Sequence, residues 1–236
     1  RSTLDRSSAA SDVYKRQPSR VNDWFLISSI MEREDPCDVF ISNSYKSIEE
    51  ISIGTIGSSS PRRQAMIKSL GKNINVVEMR GNINTRLKKL KNSNIDGIIL
   101  AKAGLRRMEM DSLITQNLSV ESFVPSPGQG VLCIECLSQH SEIMSKIKKI
   151  VHLNTEICVS AERIFAAQMD GDCMSPIGAH ATIQRDLISI TGFVATADGT
   201  RFIRNKIEGN KNNYRDLSTK LSNLFIKMGS KGMLKC

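Results

Sequence analysis

Ile53-Gly-Thr-Ile-Gly-Ser-Ser-Ser-Pro-Arg-Arg-Gln64 is the stretch whose reading decides the fold. Ile53 to Gly57 is short and apolar, as a buried strand is. Gly57 and a run of serines end it. Pro61 then stands where a helix begins, with Ser60 in the capping position. Free N–H groups at such a helix start attract anions, and the hydroxyls of Ser58, Ser59 and Ser60 add donors. Arg62 and Arg63 add forked cations that match carboxylate or phosphate.

The same arrangement recurs further along. Asn75 to Met79 reads as a strand and runs into Arg80-Gly-Asn82. Ile83, Leu87 and Leu90 then recur at helical spacing through a basic helix that carries Arg86. Ile95 to Leu100 is another buried-type strand, leading into Ala103-Gly-Leu-Arg-Arg107, and Asp38 to Ser42 is a shorter one upstream. Strands alternating with helices over 38 to 124 predict an α/β domain with largely parallel pairing. Strand ends in such sheets face one crevice, so these arginine-bearing turns can converge on one ligand with several negative charges. Lys88, Lys89 and Lys91 read as a solvated helix face.

Outside that domain the pattern changes. Trp24 to Ile30 reads as a strand, broken by Glu32-Arg-Glu-Asp-Pro36. Residues 1–20 have no apolar period and are set aside as a non-native or unstructured leader. Pro125-Ser-Pro-Gly-Gln-Gly130 is a linker by composition. A strand over 131–137, a basic helix over 139–153 and a helix over 155–169 follow. Three strand-like runs (179–184, 187–196, 201–208) come next, with Asp198-Gly199 as the hairpin turn between the last two, and then a helix over about 212–228. From about residue 153 onward this predicts a small α+β domain with an antiparallel sheet.

The 236 residues carry a net charge of +9, yet aromatic content is only 5%. The charge suits a polyanion or a multiply charged acidic substrate, while the few aromatics argue against base-stacking surfaces. No run of 18 apolar residues exists that could span a membrane. Six scattered cysteines give no disulfide framework, which fits a reducing cytoplasm. Cys133-Ile-Glu-Cys136 lies inside an apolar strand, where residues three apart point to opposite faces, so these are read as structural. His140, His152 and His180 are scattered, and no metal site is inferred. Cys173 is different. It sits in Asp170-Gly-Asp-Cys-Met-Ser-Pro-Ile-Gly178, a loop between helix and strand where Gly171, Gly178 and Pro176 shape the backbone. Such a loop can present a thiol, although a small buried apolar residue remains the alternative.

Together these runs resemble the hydroxymethylbilane synthase (porphobilinogen deaminase) family. The resemblance rests on Glu32-Arg-Glu-Asp-Pro36, Gly57 to Gln64, Arg80-Gly-Asn82 with Thr85-Arg86, Asp96 to Ala101 with Ala103-Gly-Leu105, Pro127-Gly-Gln-Gly130, Ile134-Glu135, Ala161-Glu-Arg163 and Gly171 to Gly178. It implies a transferase that joins four porphobilinogen molecules into linear hydroxymethylbilane, releasing ammonia, in tetrapyrrole (haem and chlorophyll) biosynthesis. It also implies a dipyrromethane cofactor held by a thioether to Cys173. Arg62, Arg63, Arg80 and Arg86 would bind acetate and propionate groups of cofactor and substrate. Ser58, Ser59 and Ser60 would add hydrogen bonds, and Gln129 would lie near the cleft.

The implied fold is α/β, with type II periplasmic-binding-protein-like domains and a small α+β C-terminal domain. Residues 21–36 and 129–150 would be a remnant of domain 1, 37–128 domain 2 and 153–236 domain 3. A cytoplasmic monomer without nucleic-acid or membrane partners is expected. Two departures stand out. The family's catalytic aspartate lies in a His-Ser-x-Lys-Asp run that is absent here, so an N-terminally truncated and inactive chain, with no catalytic residue of its own, is expected. Asp172 stands where the family usually has Gly. The competing readings are a non-catalytic carboxylate-binding module of periplasmic-binding type, which needs no cysteine, and a nucleic-acid binder, which predicts steep salt dependence.

Overall fold

The computed structural model describes residues 9–13, 25–137, 141–170 and 175–234. In chain order the strands and helices are β1 (Ala9–Val13), β2 (Phe25–Ile30), β3 (Asp38–Ile41), β4 (Ile53–Gly57), α1 (Pro61–Lys68), β5 (Asn73–Val77), α2 (Ile83–Asn92), β6 (Gly97–Ala101), α3 (Lys102–Arg106), β7 (Gln116–Asn117) and β8 (Leu132–Leu137). They continue with α4 (Ser141–Ile147), α5 (Leu153–Gln168), β9 (Ile177–Gln184), β10 (Leu187–Ala195), β11 (Phe202–Asn210), α6 (Tyr214–Lys227) and α7 (Ser230–Met233).

The central sheet has the order β5-β4-β6-β3-β7. β4 pairs in parallel with β5 and β6, but β3 is antiparallel to both β6 and β7. The sheet is therefore mixed, where largely parallel pairing was expected. Parallel neighbours need a crossover, and α1 and α2 supply one after β4 and after β5. Between β3 and β4 there is only a short 3-10 turn at Ile48–Glu50. The pleat sends alternate residues to opposite faces. Phe40, Ile56 and Ile99 join Ala65, Met66 and Ile67 of α1 in one core. Val39, Ile41, Ile98 and Leu100 join Leu90 of α2 and Leu105 of α3 in another.

The C-terminal sheet, β11-β10-β9, is antiparallel throughout. α5 and α6 cover one face, where Phe165 and Phe225 meet edge to face at 4.9 Å. Gly192 of β10 lies under that pair, and a Cβ there would stand 2.6 Å from the Phe165 ring. On the opposite face Phe193 and Ala195 are buried in the core beside α1, so the two sheets share apolar packing. The free edge of β9 is also occupied. Ala179 N donates to Pro125 O at 2.9 Å, and Ala181 N donates to Glu162 Oε1 at 2.8 Å. An edge satisfied in this way cannot template further strands.

β1, β8 and β2 form a third, antiparallel sheet, with a bulge between Ile27 and Ser29. Ile30, Val131 and Cys133 pack against Val159 of α5. β1 falls within residues 1–20, so the reading of that stretch as unstructured does not hold for Ala9–Val13. Edge pairing is made by backbone groups, and the lack of an apolar period does not forbid it. The helix expected over 139–153 is shorter, with α4 followed by a 3-10 turn at Lys148–Ile150 and α5 starting at Leu153. Asp198-Gly199 turns the β10–β11 hairpin as expected, with Gly199 at φ +71°. Among the described residues, no helix is long and apolar enough to cross a membrane.

Candidate active site

The parallel strands β4, β5 and β6 end on the same side of the central sheet, and the candidate turns extend from those ends. Ser58 is buried, and its N–H donates to Val77 O at 2.9 Å. Ser59 Oγ accepts from Met79 N at 3.0 Å. These two bonds join the serine turn to the end of β5, beside Arg80. Ser60 occupies the N-cap of α1, but its hydroxyl makes no capping bond. Pro61 has no N–H to give, so the first turn of α1 has one fewer donor in need of an acceptor. The Gln64 side chain folds back instead, donating from Nε2 to Ser58 O at 2.7 Å.

The arginines divide into two kinds. Arg62 is 2% exposed, and its guanidinium is spent inside the protein: Nε donates to Ser126 Oγ (3.1 Å), Nη1 to Val124 O (2.6 Å) and Nη2 to Asp38 Oδ2 (2.7 Å). These bonds give Arg62 a framework role within the fold. Arg63 is also buried, with Nε and Nη2 on Asp38 Oδ1 and Nη1 on Ile99 O. Asp38, at 0% exposure, accepts from both arginines and from Gln129 Nε2 at 2.8 Å. Burial alone would raise its carboxyl, but the charges of Arg62 and Arg63 hold it far below the usual range.

Arg86 is half-buried. Its Nε donates to Gly81 O at 2.8 Å, and no carboxylate pairs with it among the described residues. Burial lowers its pKa, and the neighbouring charge of Arg63 lowers it further. Arg80 is exposed and paired with Glu78 at 2.8 Å. Asn82 caps α2 by accepting from Thr85 N. Arg106 and Arg107, also read from the sequence, reach the upstream segments: Arg106 pairs with Glu34 at 2.9 Å, and Arg107 donates to Gly130 O. Lys88 and Lys89 are exposed, as is Lys91.

Gln129 is 1% exposed. Its Nε2 donates to Pro36 O and Asp38 Oδ1, and its Oε1 is buried without a partner. Its carbonyl accepts from Arg33 Nε at 2.9 Å. Arg33 continues to Glu162 through two parallel bonds of 2.6 and 3.0 Å. Glu162 is wholly buried and also accepts from Gly128 N (2.7 Å) and Ala181 N (2.8 Å). Burial pushes its carboxyl up, but the Arg33 charge together with the Arg33 and His180 interactions brings it down to about 2. A continuous polar network thus runs from the arginine turn through the 125–130 linker to α5 and β9.

The sequence reading missed Asp38 and Glu162 as hubs. Both were visible as a carboxylate in an apolar run, Asp38-Val-Phe-Ile41 and the apolar face of α5. Such residues are almost never fully buried without a partner.

Cys173 lies outside the described residues, as does Asp172. The ends of their loop are held. Asp170 pairs with Lys231 at 3.0 Å, and Pro176 O accepts from Ala195 N at 3.2 Å. Cys133 and Cys158 are buried and Cys37 partly so. Burial pushes the Cys37 and Cys158 thiols up to about 12, which makes poor nucleophiles of them. Among the described residues, no group of three or more His, Cys, Asp or Glu is placed to hold a metal ion.

Comparison with known proteins extends this geometry. Residues 9–145 match the family model of the porphobilinogen deaminase dipyrromethane-cofactor-binding domain, and 156–227 that of the porphobilinogen deaminase C-terminal domain. The porphobilinogen deaminase of Alkaliphilus metalliredigens is 39% identical over 222 residues, covering 94% of this chain and 70% of that protein. That of Clostridium botulinum strain Kyoto is 40% identical over 223 residues, covering 94% and 76%. Similar solved structures include an arginine-specific periplasmic binding protein of Salmonella typhimurium, with TM-score 0.35 and 13% identity over 54% of this chain and 59% of that one. The methionine-binding protein MetQ has TM-score 0.38 and 12% identity over 54% and 60%. The fold assignment rests on the strand order above rather than on these likenesses. The two domain matches and the identity shared with full-length relatives establish that this chain belongs to the porphobilinogen deaminase family of hydroxymethylbilane synthases.

Proposed function

We propose that this chain carries the cofactor- and substrate-holding part of a hydroxymethylbilane synthase, with Arg63, Arg86 and Arg80 as carboxylate anchors and Cys173 as the attachment point of the cofactor. One observation carries the reading: Arg86 lies within the field of Arg63, and among the described residues no carboxylate pairs with it. Arg62 and Arg63 share the single charge of Asp38, so the buried cluster keeps one positive charge and Arg86 adds a second. Two half-desolvated cations in excess call for anionic partners. The donor set fits a dipyrromethane bearing acetate and propionate groups, because guanidinium forks match carboxylates two bonds at a time. When bound, the dipyrromethane supplies the pyrrole terminus to which porphobilinogen units are added.

The chain's own residues bind and orient. Ser59 ties the anion turn to the end of β5, and Asp38 fixes the planes of Arg62 and Arg63. Gln129 Oε1 is a buried acceptor suited to a pyrrole N–H. Ser58 and Ser60 belong to the same turn, with Ser60 N donating to Ser58 Oγ at 3.3 Å. The division into domain 2 (37–128) and domain 3 (153–236) is part of this proposal, as is a cytoplasmic monomer acting on porphobilinogen. The sequence contains no His-Ser-x-Lys-Asp run, so the polypeptide of these 236 residues, assayed alone, makes no hydroxymethylbilane.

The test is the intact mass of the purified chain with peptide mapping across Cys173. A dipyrromethane adduct on that thiol, lost in Cys173→Ser, is the expected result. An adduct on another cysteine, or carboxylate-ligand binding that Arg86→Gln leaves unchanged, would overturn the assignment.

A further inference from the structure

Arg86 and Lys89 stand three residues apart on α2, which makes them neighbours on one helix face, roughly 5–6 Å apart at Cβ. Both side chains run back toward the start of the helix, as long helical side chains do. Arg86 Nε donates to Gly81 O at 2.8 Å, and Lys89 Nζ donates to Arg80 O at 3.3 Å. Two successive carbonyls of the Arg80-Gly81 turn are thus each held by a cation from α2. Lys88 and Lys91 lie elsewhere on the helix, turned from Arg86 by roughly 160° and 140°. The sequence groups the three lysines as one solvated face, and the bond of Lys89 to the turn sets it apart.

This gathering of charge is unfavourable in the chain by itself. A helix N-terminus disfavours cations, and the first turn of α2 carries no acidic residue to offset them. Like charges at this spacing repel, and the charge of Arg63 also reaches Arg86. Glu78 is bonded to Arg80 instead. Among the described residues, no carboxylate pairs with Arg86 or Lys89. Arg86 keeps both Nη nitrogens, and Lys89 two of its three N–H groups, for an outside acceptor.

We propose that Lys89 is a second carboxylate contact beside Arg86, and that the two together select ligands whose acidic arms sit on adjacent ring positions. The inference rests on the reading of the arginine turns as carboxylate anchors and adds a specificity-determining residue to it. Arg86 takes one arm through its forked guanidinium, and Lys89 takes the other as a point charge. Arms on neighbouring ring atoms keep their carboxylates within the span of this pair. Arms on opposite sides of a ring point apart and engage only one of the two.

The experiment titrates the full chain, carrying Cys173→Ser so that no adduct occupies the turn, at low ionic strength, where exposed charges are least screened. The probes are 1,2-phenylenediacetate, 1,4-phenylenediacetate and phenylacetate, followed by ligand-observed NMR. The adjacent diacid should bind with Kd of about 1 mM, about fivefold more tightly than the other two. Lys89→Gln should remove that preference and leave phenylacetate unchanged, Lys89→Arg should restore it, and Lys91→Gln should retain it. Lys89 is exposed, so the variants should fold, and unchanged thermal melts verify it. Equal affinity for the two diacids, or a preference that survives Lys89→Gln, overturns the proposal. Arg86→Gln tells the two levels apart. If it weakens all three probes while the preference survives Lys89→Gln, the role of Lys89 alone falls. If it weakens none, the carboxylate-anchor reading falls and this inference with it.

Discussion

Replacing Glu162 by Gln tests the polar network that joins the linker to the C-terminal domain. The substitution keeps shape and volume, so any loss is electrical and not a cavity. Both carboxylate oxygens are already doubly engaged, Oε1 by Arg33 Nη1 and Ala181 N, and Oε2 by Arg33 Nη2 and Gly128 N. Whichever way the amide is turned, its NH2 meets two donors. One arginine then loses its buried counter-charge. Breaking a buried pair from one side costs about 3–5 kcal/mol. The pKa gives a second route to the magnitude. A fall from 4.5 to about 2 corresponds to about 3 kcal/mol of stabilisation by the ionised form.

The sign follows from the depressed pKa. A carboxyl held lower in the folded than in the unfolded chain stabilises the fold above the unfolded value, and that contribution is lost as pH falls toward the folded value. About 2 kcal/mol of it should be gone by pH 3. Urea unfolding of the natural and Glu162→Gln chains between pH 7 and pH 3 measures the difference. The gap should be widest at pH 7 and should narrow on acidification. Asp35 and Asp38 also lose their charge advantage in acid, but they do so in both chains and cancel. A gap below about 1 kcal/mol at pH 7, or one that does not shrink with acid, would refute the reasoning.

Two further outcomes separate framework from ligand contact. Arg62→Gln should destabilise the fold by about 3 kcal/mol, because Asp38 and Val124 O lose a buried donor, while Arg86→Gln should leave the melting temperature nearly unchanged and weaken binding of a dicarboxylate probe; thermal melts and calorimetric titration of both variants check this. Gly178→Ala places a Cβ 2.7 Å from Val124 O, where the C-terminal sheet meets the 124–125 segment, and should cost about 1–3 kcal/mol by thermal melt, whereas Gly232→Ala, with nothing within 4 Å, should not.

The elements legible in the sequence were those whose signal is local. Ile53–Gly57 followed by Pro61 gave strand and helix start to the residue, because Gly and Pro punctuate the backbone wherever they stand. The C-terminal strands were found within two residues, since alternation and an Asp-Gly turn need no distant partner. Strand direction was not local. Alternating strands and helices do not make β3 parallel to its neighbours, because only a 3-10 turn stands between β3 and β4. β1 was missed for the opposite reason, since its pairing with β8 uses backbone groups that any sequence has.

The arginine pair shows where residue identity stops being enough. Arg62 and Arg63 are adjacent, chemically identical and open the same helix, so no reading of the turn alone could give them different roles. The difference comes from Asp38, Val124 and Ser126, at least 24 positions away in the chain and brought to the turn by the sheet. One carboxylate cannot neutralise two guanidiniums. Asp38 meets Arg62 through one bond and Arg63 through two, so it ties both into the framework. Arg86 lies within the field of Arg63, which adds to burial in lowering its pKa. The buried carboxylate thus does more than neutralise charge: it holds both guanidiniums in place, and the cluster keeps one positive charge in excess.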